Sequence, residues 1–189
     1  MQKLHVPEKS GIRGIVTVRS HPSGTIDRYR ELEKQGRLAE AQALIQSGKI
    51  EIRQKNLIVD SSGHGLDILV QYLISAFTGS LNFPLGIAWG ELGTGTTTPA
   101  ASDVALTTPV ARTTVSYAAD SAFNTALVQF FFPDLSLTNQ SYTEFGTFVG
   151  GTSTIGSGNL FNHALFSTPY SKSSGVDTTV EVDFLLANA

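Results

Sequence analysis

Thr178-Thr179-Val180-Glu181-Val182-Asp183-Phe184-Leu185-Leu186 decides the fold class of this chain. Val180, Val182, Phe184 and Leu186 share one side of an extended strand, and Glu181 and Asp183 share the other. The run therefore reads as an antiparallel strand with one buried face. The same texture extends backwards. Short β-branched and aromatic runs near Leu85 to Trp89, Val110 to Ala118, Asn124 to Phe132, Tyr142 to Val149 and Leu160 to Phe166 are separated by Gly, Thr, Ser and Pro turns. In Asn124 to Phe132 both faces are apolar, with Ala126, Val128, Phe130 and Phe132 on one and Leu127 and Phe131 on the other. Such a strand is either central or covered by a partner chain, because monomers rarely expose a large aromatic patch. The rhythm as a whole predicts a mainly β fold, an antiparallel β-sandwich.

Further upstream, Ile12, Val16 and Val18 line one side of Gly11 to Arg19, and Ile50 and Ile52 alternate with Glu51, Arg53 and Lys55. These two runs form an antiparallel pair with a helical segment inserted between them. Thr25 suits an N-cap and Asp27 a first turn, while Tyr29, Leu32, Leu38, Ala41, Leu44 and Ile45 supply apolar positions. Gly36 divides this segment and Gly48 ends it, giving a helical hairpin at about residues 25 to 48 that lies over a sheet edge or serves as a handle between subunits. Leu66, Leu69, Val70, Leu73 and Phe77 recur at spacings of three and four, which predicts one core helix packed on the sheet and ended by Gly79. Residues 1 to 10 have no period and contain Pro7, so they read as an extended arm that orders against a neighbour. Residues 11 to 189 then form a single domain.

Of the 189 residues, 41% are hydrophobic and 15% charged, the balance of a folded β-rich protein. There is no cysteine, which removes disulfides, thiolate metal sites and a Cys nucleophile. The formal net charge of −3 conceals an asymmetry: residues 1 to 60 hold 11 Lys/Arg against 7 Asp/Glu, whereas residues 61 to 189 hold 2 against 9. Opposite potentials of this kind steer subunit contacts. Nucleic acid is not an expected partner, since the basic residues are interleaved with acids and only Arg112 and Lys172 follow residue 60. No apolar run approaches the length of a membrane span, and the first residues lack a secretory h-region, so synthesis in the cytoplasm with no membrane partner is expected.

Tests for chemistry return little. Gly93-Thr94-Gly95-Thr96-Thr97-Thr98 has the glycines of a phosphate loop, but no Walker lysine follows and no helix opens there. His5, His21, His64 and His163 do not cluster, and His163 alternates with Phe161 and Leu165 as a core or interface histidine. Glu91, Asp103, Asp120, Asp134 and Glu144 fall in or beside loops, where acids ordinarily cap turns. Glu144 stands in an apolar strand, and if buried it needs a donor such as Arg112 or a backbone N–H. No G-x-S-x-G elbow is present. The expectation is no enzyme, no catalytic residue, no cofactor and no metal.

Four runs carry a resemblance. Asn56-Leu57-Ile58-Val59-Asp60-Ser61-Ser62-Gly63 is followed by the apolar helix, and Ile87 to Leu106 contains the stretch Gly93-Thr94-Gly95-Thr96-Thr97-Thr98-Pro99-Ala100-Ala101-Ser102-Asp103-Val104-Ala105-Leu106. Tyr142-Thr143-Glu144-Phe145-Gly146 and Leu160-Phe161-Asn162-His163-Ala164-Leu165-Phe166 come later. Together, over residues 50 to 186, they resemble a family of small structural proteins of tailed bacteriophages and prophages. The resemblance implies a non-enzymatic virion component in the tail, collar or fibre-attachment region, built as a β-sandwich and assembling with itself and with other virion proteins. Decoration of the capsid surface, or a host-glycan-binding tip using Trp89 or Tyr170, are its alternatives. The expected subunit contacts are His5 and Pro7 in the arm, Tyr29 and Leu32 in the hairpin, Gly93, Thr94 and Gly95 in the glycine loop, and Phe130, Phe131 and Phe132.

Overall fold

The computed structural model describes residues 11–70 and 86–187. β1 (Gly11–Pro22) and β2 (Lys49–Ile58) pair antiparallel from Gly14↔Asn56 to Ser20↔Lys49, as their matched alternation requires. β8 (Val176–Ala187) takes the other edge of β1 along its whole length, from Gly11↔Ala187 to Pro22↔Val176. Its own second edge takes β5 (Thr125–Phe132), from Thr125↔Leu185 to Phe132↔Thr178. β4 (Pro109–Ala122), β3 (Ile87–Gly93), β6 (Ser141–Val149) and β7 (Asn159–Ser171) complete the order β1-β2-β7-β6-β3-β4-β5-β8, which closes on itself.

This closure overturns the expected β-sandwich. The strands form one closed antiparallel barrel of eight strands instead of two stacked sheets. Both architectures place alternate side chains inward, so the alternation of Val180, Val182 and Phe184 is common to them, whereas Leu186, expected on the same side, is exposed at the strand end. What separates them is the meeting of edges, here β1 with β8 and β2 with β7. The interior is filled by Val16, Val18, Val128, Phe130, Phe132, Phe145, Phe161, Val180, Val182 and Phe184. Phe161 meets Phe184 edge-on, with ring centroids 5.3 Å apart at 81°. Each such aromatic contributes about 1.5–3 kcal/mol by burial.

α1 (Thr25–Lys34) and α2 (Leu38–Gln46) form the expected hairpin, divided at Gly36, whose φ of +72° suits the turn. The N-cap of α1 is Gly24 and not Thr25, because the Thr25 hydroxyl donates back to the Pro22 carbonyl (2.7 Å). Ile26, Tyr29, Leu32, Ala41 and Ile45 pack on Phe131, with the Tyr29 ring edge-on to Phe131 at 4.7 Å. The hairpin thus covers the outer wall of the barrel, and from Val128 to Phe132 both faces of β5 are buried by this chain itself, while Ala126 is exposed and Leu127 half-buried. Beneath it, Gln46 and Gln129 each donate to Glu181 Oε2 (2.7 and 2.9 Å), and Arg19 donates to Gln46 Oε1 (2.8 Å). These bonds satisfy most of the polar groups that the hairpin seals from water, leaving Arg19 Nε and Gln129 Oε1 buried without a partner among the described residues.

The expected core helix starts where anticipated, with residues 66–70 helical, but its inward side is not the expected one: Ile68 is buried and Leu69 packs partly buried on the barrel core, whereas Leu66 and Val70 are exposed. The rest of it, like the arm with His5 and Pro7, lies outside the described residues. Among the described residues no helix is long and apolar enough to cross a membrane.

Candidate functional site

β3 runs on past Trp89 to Gly93, and residues 94–108 then cross to β4. That crossing is organised by one buried carboxylate. Phe145 points into the barrel, so its neighbour Glu144 faces outward under the loop, where it has no solvent exposure. Glu144 Oε1 accepts from the backbone N–H of Gly95 (3.0 Å) and of Thr108 (2.7 Å), and Oε2 accepts from the N–H of Thr107 (3.0 Å). Oε2 also lies 3.0 Å from His163 Nε2 on β7, whose Nδ1 lies 2.8 Å from Asp103 Oδ2 in the same loop. Asp103 in turn accepts from Ala100 N–H (2.9 Å), and the Thr143 hydroxyl donates to the Gly95 carbonyl (2.7 Å). Leu106, buried against Val59, Phe148 and Leu160, seals the far side.

The glycines have a steric reason to be here. A Cβ on Gly93 or on Gly95 would stand 2.4 Å from Glu144 Oε1, and that oxygen is pinned by two amides and cannot give way. The loop with phosphate-loop glycines thus wraps an anion the protein supplies itself. The N–H groups of Gly95, Thr107 and Thr108 are spent on Glu144, and that of Thr94 on the Thr108 carbonyl.

With a carboxylate against each ring nitrogen, His163 is held as an imidazolium donating at both. Burial alone would lower its pKa, but the hydrogen bonds and charges of Glu144 and Asp103 outweigh burial and raise it above the ordinary 6.5. Burial would likewise raise Glu144, yet the bonds from His163 and then from the Thr108, Thr107 and Gly95 amides hold it below the ordinary 4.5. A raised histidine stabilises the fold fully below its unfolded value and ceases to do so as pH climbs through the folded one; a lowered carboxylate does so above its unfolded value and fails as pH falls through the folded one. The clasp is therefore strongest between 4.5 and 6.5. Thermal unfolding of the wild type and of His163→Gln across that window and into the alkaline range should show their difference in stability shrinking above pH 6.5. The comparison cancels His21, which burial lowers in both proteins. A difference independent of pH would refute the charged clasp.

A second clamp sits beside the first. Glu91 and Arg112 are direct cross-strand partners on β3 and β4, and their side chains are 0% and 1% exposed in a salt bridge. Arg112 also donates to the carbonyls of Thr152 (2.9 Å) and Ser157 (2.7 Å), while Glu91 accepts from Gly156 N–H (2.7 Å), so the loop after β6 is tied at three points. The guanidinium lies over Trp89 at 4.7 Å and Phe148 at 5.1 Å. A third clamp is Lys172, whose amine, 0% exposed, donates to Asp134 (2.6 Å) and the Ser173 carbonyl (2.7 Å). Both cations that follow residue 60 are thus buried loop anchors.

The expected site residues fall in three places. Gly93, Thr94 and Gly95 belong to the clasp, with Thr94 N–H bonded to the Thr108 carbonyl (2.9 Å). Tyr29, Leu32 and Phe131 meet beneath the hairpin, and Phe130 and Phe132 fill the barrel. Tyr170 is buried with its hydroxyl 2.7 Å from that of Thr178, and Trp89 is half-covered under Arg112. The sequence reading missed Asp103 and His163 as a pair and the loop-holding role of Arg112. The signal available for Arg112 was its isolation, a lone cation in an acidic stretch.

Asp103, His163 and Glu144 resemble a proton relay in composition only. Both ring nitrogens face carboxylates, and no hydroxyl or thiol in the described residues bonds to the imidazole. Among the described residues no group of His, Asp or Glu is arranged to hold a metal ion. The arrangement does one thing well: it fixes a long loop at the surface, with Thr96, Thr97 and Thr98 exposed. No family model matches this chain, and neither a curated protein nor a solved structure matches it.

Proposed function

We propose that this chain is a non-enzymatic structural component of a tailed-phage virion, assembling as a symmetric oligomer in the tail, collar or fibre-attachment region. The observation that carries the reading is convergence. The four runs that resemble phage structural proteins are far apart in sequence, yet they meet at the clasp: Gly95, Asp103 and Leu106 from one, Glu144 from another, His163 from a third, and Asp60, whose N–H donates to the Ala101 carbonyl (2.7 Å), from the last. The resemblance therefore concerns one physical unit, a loop locked on a barrel wall.

A subunit of a large assembly benefits from such a unit. Every loop that is rigid before docking spares the ordering entropy that a mobile loop loses on association. Buried ion pairs contribute little to stability over an apolar substitute, but they fix one geometry. Three buried clamps on three loops fit a protein whose product is a shape.

The test is location. Particles released by the cell that encodes the chain are purified and labelled with gold-conjugated antibody. Label at the tail, collar or fibre base bears the proposal out, and label spread over the head replaces it with capsid decoration. Absence of the chain from purified particles would sink it.

A further inference from the structure

His21 stands at the neck of the helical hairpin, where the chain leaves β1 for α1 and returns from α2 into β2. Its ring is 3% exposed, with Nε2 3.0 Å from the Thr179 hydroxyl. Gly48, on the returning connection, lies flat against the ring, since a Cβ there would stand 2.1 Å from its Cε1. Asp177 on β8 is the direct cross-strand partner of His21, but both of its carboxylate oxygens are taken. Oδ2 accepts from Ile26 N–H (2.9 Å) in the first turn of α1, and Oδ1 accepts from Asp134 N–H (2.8 Å). The other charges around the ring are cations: Arg19 on β1, and Lys49 at the head of β2, which shares a groove of ≈ 700 Å³ with His21 and whose amine donates to Glu51 (3.0 Å). The last turn of α2 adds no further base. Burial therefore outweighs the pull of Asp177 and keeps the ring neutral to below the ordinary 6.5. His163, with a carboxylate against each nitrogen, is the opposite case.

The unit that this neck fastens is lightly held. Among the described residues, Phe131 is the one barrel side chain in the apolar cluster under the hairpin; Ile26, Tyr29, Leu32, Ala41 and Ile45 all come from the helices. The other contacts with the wall are polar and incomplete. Gln46 donates to Glu181 (2.7 Å), but Arg19 Nε and Gln129 Oε1 are buried nearby without a partner among the described residues, and such groups weaken the docking that buries them. Both connections carry a glycine, Gly24 at φ +89° and Gly48, so the hairpin is a single insertion joined to the barrel through a narrow neck. Units with few apolar contacts to the rest of a fold open locally before the whole unfolds.

We propose that the α1–α2 hairpin is an acid-released latch: a proton on His21 frees it from the outer wall of β5 as one unit while the barrel stays closed. The imidazolium has no carboxylate of its own at the neck. Asp177 meets it only by giving up the Ile26 and Asp134 amides, and the first of these holds the start of α1. With the hairpin undocked the ring reaches water, where the charged form is cheap. The sign follows from linkage. A group whose folded value is lowered binds its proton more readily in the open state, so docking is at full strength above 6.5 and weakens as pH falls below it. The clasp at His163 moves the other way over the same range. Release uncovers Phe131 together with Tyr29, Leu32 and Ile45, an apolar stripe that the docked form hides.

The latch is independent of the virion reading and is tested on the purified chain by amide exchange, corrected for the intrinsic effect of pH. One proton changes the opening equilibrium by up to about tenfold per pH unit. From about pH 7.5 to about pH 5.5, protection at Tyr29, Leu32, Ala41 and Ile45 should therefore fall about tenfold, while Val128, Val180 and Val182 in the barrel keep theirs. Constant protection in the hairpin, or an equal fall in the barrel, overturns the proposal. His21→Gln, whose amide still reaches for Thr179 but takes up no proton, should remove the pH dependence; the same fall in this variant assigns it to another group and overturns the proposal. Gly48→Ala offers a route without titration. Its methyl group displaces the ring, so the hairpin should lose protection at about pH 7.5 with the barrel unaffected, and a hairpin as well protected as in the wild type means that His21 is not the lock.

Discussion

Glu144→Ala is expected to lower the unfolding temperature by about 8–16 °C and to release residues 94–108 from the barrel wall. The argument is one of orphaned groups. Glu144 is fully buried and accepts three backbone N–H bonds, from Gly95, Thr107 and Thr108, as well as facing His163. Alanine leaves those donors beneath a loop with no acceptor, at about 1–3 kcal/mol for each that stays buried. It also leaves the His163 imidazolium with Asp103 alone, and removing one partner of a buried ion pair costs about 3–5 kcal/mol. The loop can relax and let water reach some donors, so the total settles near ~4 kcal/mol and not at the sum. At about 2–4 °C per kcal/mol for a chain of this size, the stated drop follows. Glu144→Gln keeps the size and one acceptor oxygen but turns an NH2 toward donors, so about half the loss is expected. Thermal unfolding by circular dichroism gives the first number, and amide exchange at Gly95, Thr107 and Thr108 shows whether the loop is the part that opens. A drop under about 2 °C in Glu144→Ala would mean the carboxylate does not hold the loop.

Which parts of this arrangement could be read beforehand follows from how local their causes are. The β1 and β2 pair, with α1 and α2 between them, was legible because Val16 and Val18 alternate within one run, Ile50 and Ile52 within the other, and Gly36 punctuates the insertion. The barrel was not. It depends on Gly11 meeting Ala187 and on Leu57 meeting His163, pairings for which alternation contains no address. At Glu144 the need for a donor was legible from burial alone, and backbone N–H groups do supply it. Arg112 was the wrong alternative. It stands opposite Glu91, a pairing hidden once the strand was expected to stop at Trp89, although β3 continues through Glu91 to Gly93. Asp103 and His163 are 60 residues apart, and nothing nearer than the finished fold brings them together. The aromatic run Phe130 to Phe132 suggested a subunit contact because its second face needed a cover. Tyr29 and its helix provide that cover from within the chain.

Arg112→Ala should destabilise the protein by about 3–5 kcal/mol, the second large effect expected. Glu91 is 0% exposed, and among the described residues its Oε2 has no hydrogen-bond partner and its Oε1 is met by Arg112 and the Gly156 N–H. Without the guanidinium, a carboxylate remains in the barrel wall with one amide for company. Arg112→Lys should recover only part of the loss, because a single ammonium replaces a planar fork that reaches Glu91, Thr152 and Ser157 together. The informative variant is the double one, Glu91→Leu with Arg112→Met. Replacing a buried pair by apolar groups of similar volume is often neutral or stabilising, so chemical denaturation should return to within about 1 kcal/mol of the wild type. The loop from Gly150 to Gly158 would still lack its anchors at Thr152, Gly156 and Ser157, and its amides should exchange faster than in the wild type. Stability and loop order then come apart in one protein. If the clamps exist to present a fixed surface, this stable double variant should fold normally yet enter particles poorly; normal entry would mean that the loop after β6 takes no part in assembly.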